Sequence, residues 1–137
     1  MAGRPLSPHL QIWKWGPHML VSILHRISGQ GLAFVGLPLL LWWLGALASG
    51  PDAYQNFQDW VWFGEDGGAQ AIMAVLGKIA LVGLSWAFFN HLASGIRHLV
   101  MDIGAGYEIE TNRRWSVASI VAGVAMTAAF WAAIILV

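Results

Sequence analysis

Apolar residues are grouped along this chain into three long runs, and the polar residues fall between the runs or at one end of them. The fully apolar part of the first run is 31–47, the second extends over about 69–101 and the third over 115–137. A helix needs roughly 20 apolar residues to cross the ~30 Å hydrocarbon core of a bilayer. The pattern therefore predicts an all-α membrane protein of three transmembrane helices, running up, down and up, with spans at about 22–48, 69–101 and 115–137. Ahead of them, residues 1–21 hold Arg4, Pro5, Pro8, Lys14 and Pro17 with Trp13 and Trp15. Prolines oppose one continuous helix there, and tryptophans beside a lysine suit a headgroup interface. Residues 1–21 are thus expected to form a lead-in lying on the inner interface, without the apolar core of a signal peptide, and 22–137 to form one anchor domain.

The first helix is expected to begin near Pro17, where a missing amide proton costs nothing. Pro38 should kink it, and Trp42 and Trp43 should anchor its far end. The connection 49–68 carries Asp52, Asp59, Glu65 and Asp66 and neither Lys nor Arg; its Phe57, Trp60, Val61 and Trp62 suggest a short turn lying along the outer surface. Arg4, Lys14, Arg26, Arg97, Arg113 and Arg114 fall on one side of the three spans and only Lys78 near the other. By the positive-inside rule the N-terminus and the second connection, 102–114, are inside, the C-terminus is outside, and Lys78 snorkels at the outer end. The third run has no ionisable side chain, and its Ser119, Gly123 and Thr127 form a small-residue stripe that argues for helix packing.

Composition agrees with this class and narrows the chemistry. Of 137 residues, 58% are hydrophobic and 10% charged, against roughly 25% charged in soluble domains. Net charge is zero and no basic run occurs, so nothing points to a nucleic-acid partner. The chain has no cysteine, which removes disulfides, thiolate zinc sites and iron–sulfur ligation and leaves histidine as the plausible metal ligand.

Polar groups at helical spacing mark the candidate site. His91, Ser94, Gly95, His98 and Asp102 fall on one face at the end of the second run, and Ser22, His25, Arg26 and Gly29 share a face at the start of the first. Ionisable groups inside a membrane are costly and mark partners, cofactors or water; the blander account, that Arg97, His98 and Asp102 only mark where the helix leaves the lipid, stands beside this one. His91 lies roughly 10 Å deeper than His98 at 1.5 Å per residue. Those two cannot clamp one iron from opposite sides, so a second axial ligand would come from a partner chain. His25 is expected to be separated from His91 by several turns of depth.

Three blocks together resemble a known family. Arg4-Pro5-Leu6-Ser7-Pro8-His9-Leu10, then Ser22-Ile23-Leu24-His25-Arg26 with Ser28-Gly29, then His91 followed by Gly95-Ile96-Arg97-His98-Leu99 and Asp102-Ile103-Gly104, resemble the cytochrome b large anchor subunit of succinate dehydrogenase, respiratory complex II. The resemblance implies that His91 is an axial ligand of haem b, shared with a second small membrane-anchor subunit that supplies the other ligand. It implies that Ser22 and Arg26 line a ubiquinone site, with Trp15 and Met19 at pocket positions, and that His25 lies near the haem propionates; His98, on the His91 face, joins the cofactor-binding set. Trp13 stands where the family often has tyrosine and Met101 where it often has tryptophan. A flavoprotein subunit and an iron–sulfur subunit would carry succinate oxidation, so the isolated chain is expected to catalyse nothing, and the setting would be lipid of a bacterial cytoplasmic membrane. The alternatives are a haem-free structural anchor of a related complex and a small transporter; the second is disfavoured because three spans show no inverted repeat.

Overall fold

Pro17 follows an extended Gly16 and opens the first helix, α1, which runs over Pro17–Ser49 in the computed structural model. The structure describes residues 3, 8, 12–65 and 67–136. Apart from Pro8, the Arg4-to-Leu10 block lies outside the described residues, as do much of the expected lead-in, Asp66 and Val137. Where the sequence predicts a kink, α1 passes through a π-helical segment, Leu32–Gly36. Pro38 has no N–H to offer the carbonyl of Phe34 and its ring crowds that carbonyl. The chain answers by widening, and the Leu37 N–H reaches back to the carbonyl of Leu32.

After Gly50, whose φ of 109° is one that a side chain would strain, α2 spans Pro51–Gln58 and continues as a π-helical turn, Asp59–Phe63. In place of the expected short turn the connection is helical over 51–63. Phe57 and Val61, four apart and so on one helical face, are buried with Ala46, and Leu39, Tyr54 and Leu81 pack around them. Trp42 meets Phe57 edge-on at 4.9 Å. The next helix passes so near that a Cβ on Gly77 would strike the backbone of Val61. The segment is helical and docked because its apolar side has a core to enter.

Two long helices complete the fold, α3 over Gly68–Asp102 and α4 over Ile109–Leu136. Their connection turns on Gly104 and Gly106, both at positive φ. Helix α4 starts at Ile109, ahead of the apolar run at Trp115, because hydropathy marks the membrane span and not the helix. Asn112 N–H already bonds to the carbonyl of Glu108 at 2.8 Å, and Glu110 pairs with Arg114 at 3.1 Å across one turn. Ser116, Ser119, Gly123 and Thr127 are buried, so the small-residue stripe packs inward as its spacing predicts. A Cβ on Gly123 would stand 2.9 Å from Cα of Asn90 on α3. Among the described residues three helices, of 33, 35 and 28 residues, are long and apolar enough to cross a membrane. Large apolar side chains such as Phe34, Ile79, Leu99 and Ile135 face outward, as they can where the surrounding solvent is hydrocarbon.

Candidate functional site

The site grows from the pairing of α1 with α3, which run antiparallel with His25 opposite Ser94 and Ser28 opposite His91. His25 Nδ1 lies 2.7 Å from Ser94 Oγ, and His91 Nδ1 lies 3.2 Å from Ser28 Oγ and 3.1 Å from the carbonyl of His25. The two imidazoles stack at 3.9 Å between centroids, with 11° between their planes. His98 meets His25 edge-on at 4.9 Å. The expected separation of His25 from His91 by several turns is therefore wrong. Sequence spacing measures depth within one helix, whereas the register between two helices is set by packing. Small residues supply that register here: a Cβ on Gly29 would stand 2.8 Å from Cε1 of His91, and one on Gly95 would stand 4.0 Å from Cε1 of His25.

Hydrogen-bond bookkeeping assigns the protons. Ser28 Oγ donates to the carbonyl of His25 at 3.0 Å, and Ser94 Oγ donates to the carbonyl of Asn90 at 2.7 Å. Each hydroxyl has then used its one proton and can only accept from the histidine beside it. Both imidazoles consequently carry hydrogen on Nδ1, and in the neutral form of each ring the lone pair stands on Nε2, for which no hydrogen-bond partner is found among the described residues. In that form each ring has the orientation of its Nε2 already set by the bond that Nδ1 makes. Among the described residues no group of three or more His, Cys, Asp or Glu side chains could hold a metal ion.

Arg97 departs from the account in which it only marks the lipid boundary. It is 6% exposed, and its Nη2 donates to Asn112 Oδ1 of α4 at 2.7 Å. One residue before His98, it is rotated about 100° around α3 and ties α3 to the start of α4. Asp102 and His98 are exposed. Asn90 is fully buried beside Gly123, and neither of its amide atoms has a hydrogen-bond partner among the described residues.

Ser22 and Arg26 also come together. The exposed guanidinium of Arg26 curls back along its own helix, Nε donating to the Ser22 carbonyl at 3.3 Å and Nη2 reaching Ser22 Oγ at 3.5 Å. Trp15 stands elsewhere. With Gly16, Pro17 and Leu20 it lines a hollow of about 270 Å³ closed by Val117, Ile120 and Val121 of α4, and neither Ser22 nor Arg26 reaches that hollow. Met19 is half-buried in the first turn of α1. Ser28, quoted only as part of the family block, and Asn112 are given no role by the sequence; the place of a serine three residues after His25 depends on the register with α3.

Comparison with known proteins points one way. The family described as succinate dehydrogenase/fumarate reductase transmembrane subunit matches residues 2–130. The succinate dehydrogenase cytochrome b556 subunit of Paracoccus denitrificans is 39% identical over 123 residues, covering 90% of this chain and 85% of that protein. Its counterpart in Rickettsia felis is 35% identical over 128 residues, with 93% and 90% covered. The mitochondrial succinate dehydrogenase cytochrome b560 subunit of Mus musculus is 34% identical over 108 residues, with 79% and 58% covered.

Proposed function

The chain belongs to the succinate dehydrogenase/fumarate reductase transmembrane subunit family, and on that footing we propose that it holds haem b through His91 jointly with a partner anchor chain and forms part of a ubiquinone-reduction site. It is a membrane subunit of an oxidoreductase complex. The complex would supply a flavoprotein, an iron–sulfur protein and a second small anchor, in a bacterial inner membrane with the N-terminus inside and the C-terminus outside.

One observation carries the reading. His91 Nδ1–H is held by two acceptors, the carbonyl of His25 and Ser28 Oγ, so its tautomer and ring plane are fixed and Nε2 is left to ligate. A b-type haem bound there would supply one-electron transfer. His25, whose Nδ1–H is accepted by Ser94, and His98 at the rim stand ready to meet the propionate edge. Ser22 and Arg26 present a hydroxyl and a permanent cation on one turn, suited to hydrogen-bonding a quinone carbonyl oxygen and stabilising the negative charge that develops on it. Met19, half-buried in the first turn of α1, would wall the approach, whereas Trp15, turned into the hollow against α4, is left out of this site.

The test is the reduced-minus-oxidised spectrum of the complex purified with His91→Ala. Loss or gross alteration of the b-type bands, with all subunits recovered, is the expected result. An unchanged spectrum in an intact complex would overturn the ligand assignment.

A further inference from the structure

At the end of the bundle away from the histidines, α1, α2, α3 and α4 enclose a groove of about 830 Å³, walled by Leu40, Trp43, Trp62, Leu84, Phe130 and Trp131 among others. Its size falls within the ~300–1,000 Å³ typical of built ligand sites. The wall is overwhelmingly apolar: Tyr54 and Gln58 are its polar exceptions beside Ser85, and Trp131 Nε1 donates to Ser85 Oγ at 2.9 Å while Ser85 Oγ donates to the carbonyl of Val82 at 2.8 Å. The occupant's body is therefore apolar. A charge stands at one end: Lys78 Nζ lies 5.5 Å above the ring of Trp62, a wall residue. Among the described residues Lys78 makes no ion pair, and it is the only Lys or Arg between Arg26 and Arg97 in the chain.

Depth ties the charge to the groove. At 1.5 Å per residue Lys78 stands roughly 28 Å along α3 from Arg97, close to the ~30 Å thickness of a hydrocarbon core. With Arg97 and His98 at one boundary, Lys78 lies at the other, at headgroup level. Leu81, Leu84 and Ser85 line the groove within two turns of Lys78 toward the membrane centre. Charge at the headgroup plane with an apolar trough running inward from it is the shape of one ligand class.

We propose that this groove binds a glycerophospholipid, with its phosphate on Lys78 and an acyl chain laid in the trough between α1, α2 and α4. Trp62 serves both parts, holding the ammonium over its ring and lining the trough with its edge. The inference rests on the membrane embedding of the bundle and is independent of the haem and quinone assignments.

The complex is reconstituted in nanodiscs containing phosphatidylglycerol with a diazirine on one acyl chain, and, in parallel, diacylglycerol carrying the same chain without phosphate. Irradiation of the wild type should label peptides containing Leu81 to Ser85 and Phe130 to Ile134 with the phosphatidylglycerol probe. Lys78→Gln should lower that labelling about fivefold, the worth of one lysine near a lipid surface, and leave the weaker diacylglycerol labelling unchanged. Leu84→Trp, which fills the trough, should abolish both, while co-purification of all subunits reports an intact complex. Absence of groove labelling in the wild type, as would follow if a partner helix covers it, overturns the proposal. So does equal labelling by diacylglycerol, or labelling by phosphatidylglycerol that is indifferent to Lys78→Gln.

Discussion

Adding one methyl group at Gly29 should damage the site, although the same change elsewhere on α1 should help the chain. A Cβ at Gly29 would stand 2.8 Å from Cε1, 3.3 Å from Nδ1 and 3.7 Å from Nε2 of His91. Carbon atoms prefer roughly 3.5–4.0 Å, so the imidazole must retreat by about 0.7–1 Å. Its Nδ1 contacts at 3.1 and 3.2 Å are already at the long end of N–H hydrogen bonds, and that retreat breaks both. The loss is about 1 kcal/mol for the shared bond and about 1–3 kcal/mol for overpacking, offset by the ~0.5–1 kcal/mol that alanine gains over glycine in a helix. Gly29→Ala is therefore expected to destabilise by roughly 1–3 kcal/mol. Gly45, on the same helix, has nothing within 4 Å of its Cβ position, and Gly45→Ala should stabilise by about 0.5–1 kcal/mol. Thermal denaturation of the purified complex, followed by retention of this subunit and by the haem bands, measures both. If Gly29→Ala melts with Gly45→Ala and leaves the spectrum untouched, the ring does not lie against Gly29 as described.

Three further changes probe neighbouring contacts. Ser28→Ala removes one of the two acceptors of His91 Nδ1–H, which weakens the imidazole as a donor to iron; the haem midpoint potential in a potentiometric titration should rise, Ser28→Thr should restore it, and an unshifted potential would count against the role of Ser28. Asn112→Leu strips Arg97 Nη2 of its 2.7 Å acceptor, leaving a buried cation unpaired at a cost of about 1.5–3 kcal/mol in thermal stability, whereas Arg97→Leu with Asn112→Leu should recover most of it. Ser22→Ala and Arg26→Leu should leave succinate oxidation with an artificial acceptor near wild type and lower it with ubiquinone, Arg26→Leu the more; normal rates with both acceptors would remove the pair from the quinone site.

What could be read from the sequence, and what could not, divides along a physical line. Hydropathy is a property of one segment against lipid, so the three spans and the inward stripe Ser119, Gly123, Thr127 were legible. The docking of α2 was not, because residues 51–63 are too short and mixed to declare a partner, and their burial depends on Ala46 and Leu81 arriving beside Phe57 and Val61. The start of α4 was missed for the opposite reason, since Asn112, Glu110 and Arg114 are held in the helix by bonds that hydropathy does not register.

At the site the same division holds residue by residue. His91, His25 and His98 are conspicuous as imidazoles on helical faces, but their mutual distances follow from where α1 meets α3. The lack of a side chain at Gly29, with room at Gly95 beside His25, lets the helices approach until His25 lies over His91. That register turns two ordinary serines into proton acceptors: Ser28 and Ser94 each donate to a helix carbonyl and are left with a lone pair facing a histidine Nδ1. The proton on each Nδ1 follows from this, and with it the tautomer of each neutral ring. The presence of an imidazole on this face is thus a single-residue property, while the orientation of its Nε2 belongs to the helix pair, and variants at Gly29 and Ser28 separate the two because neither removes a histidine.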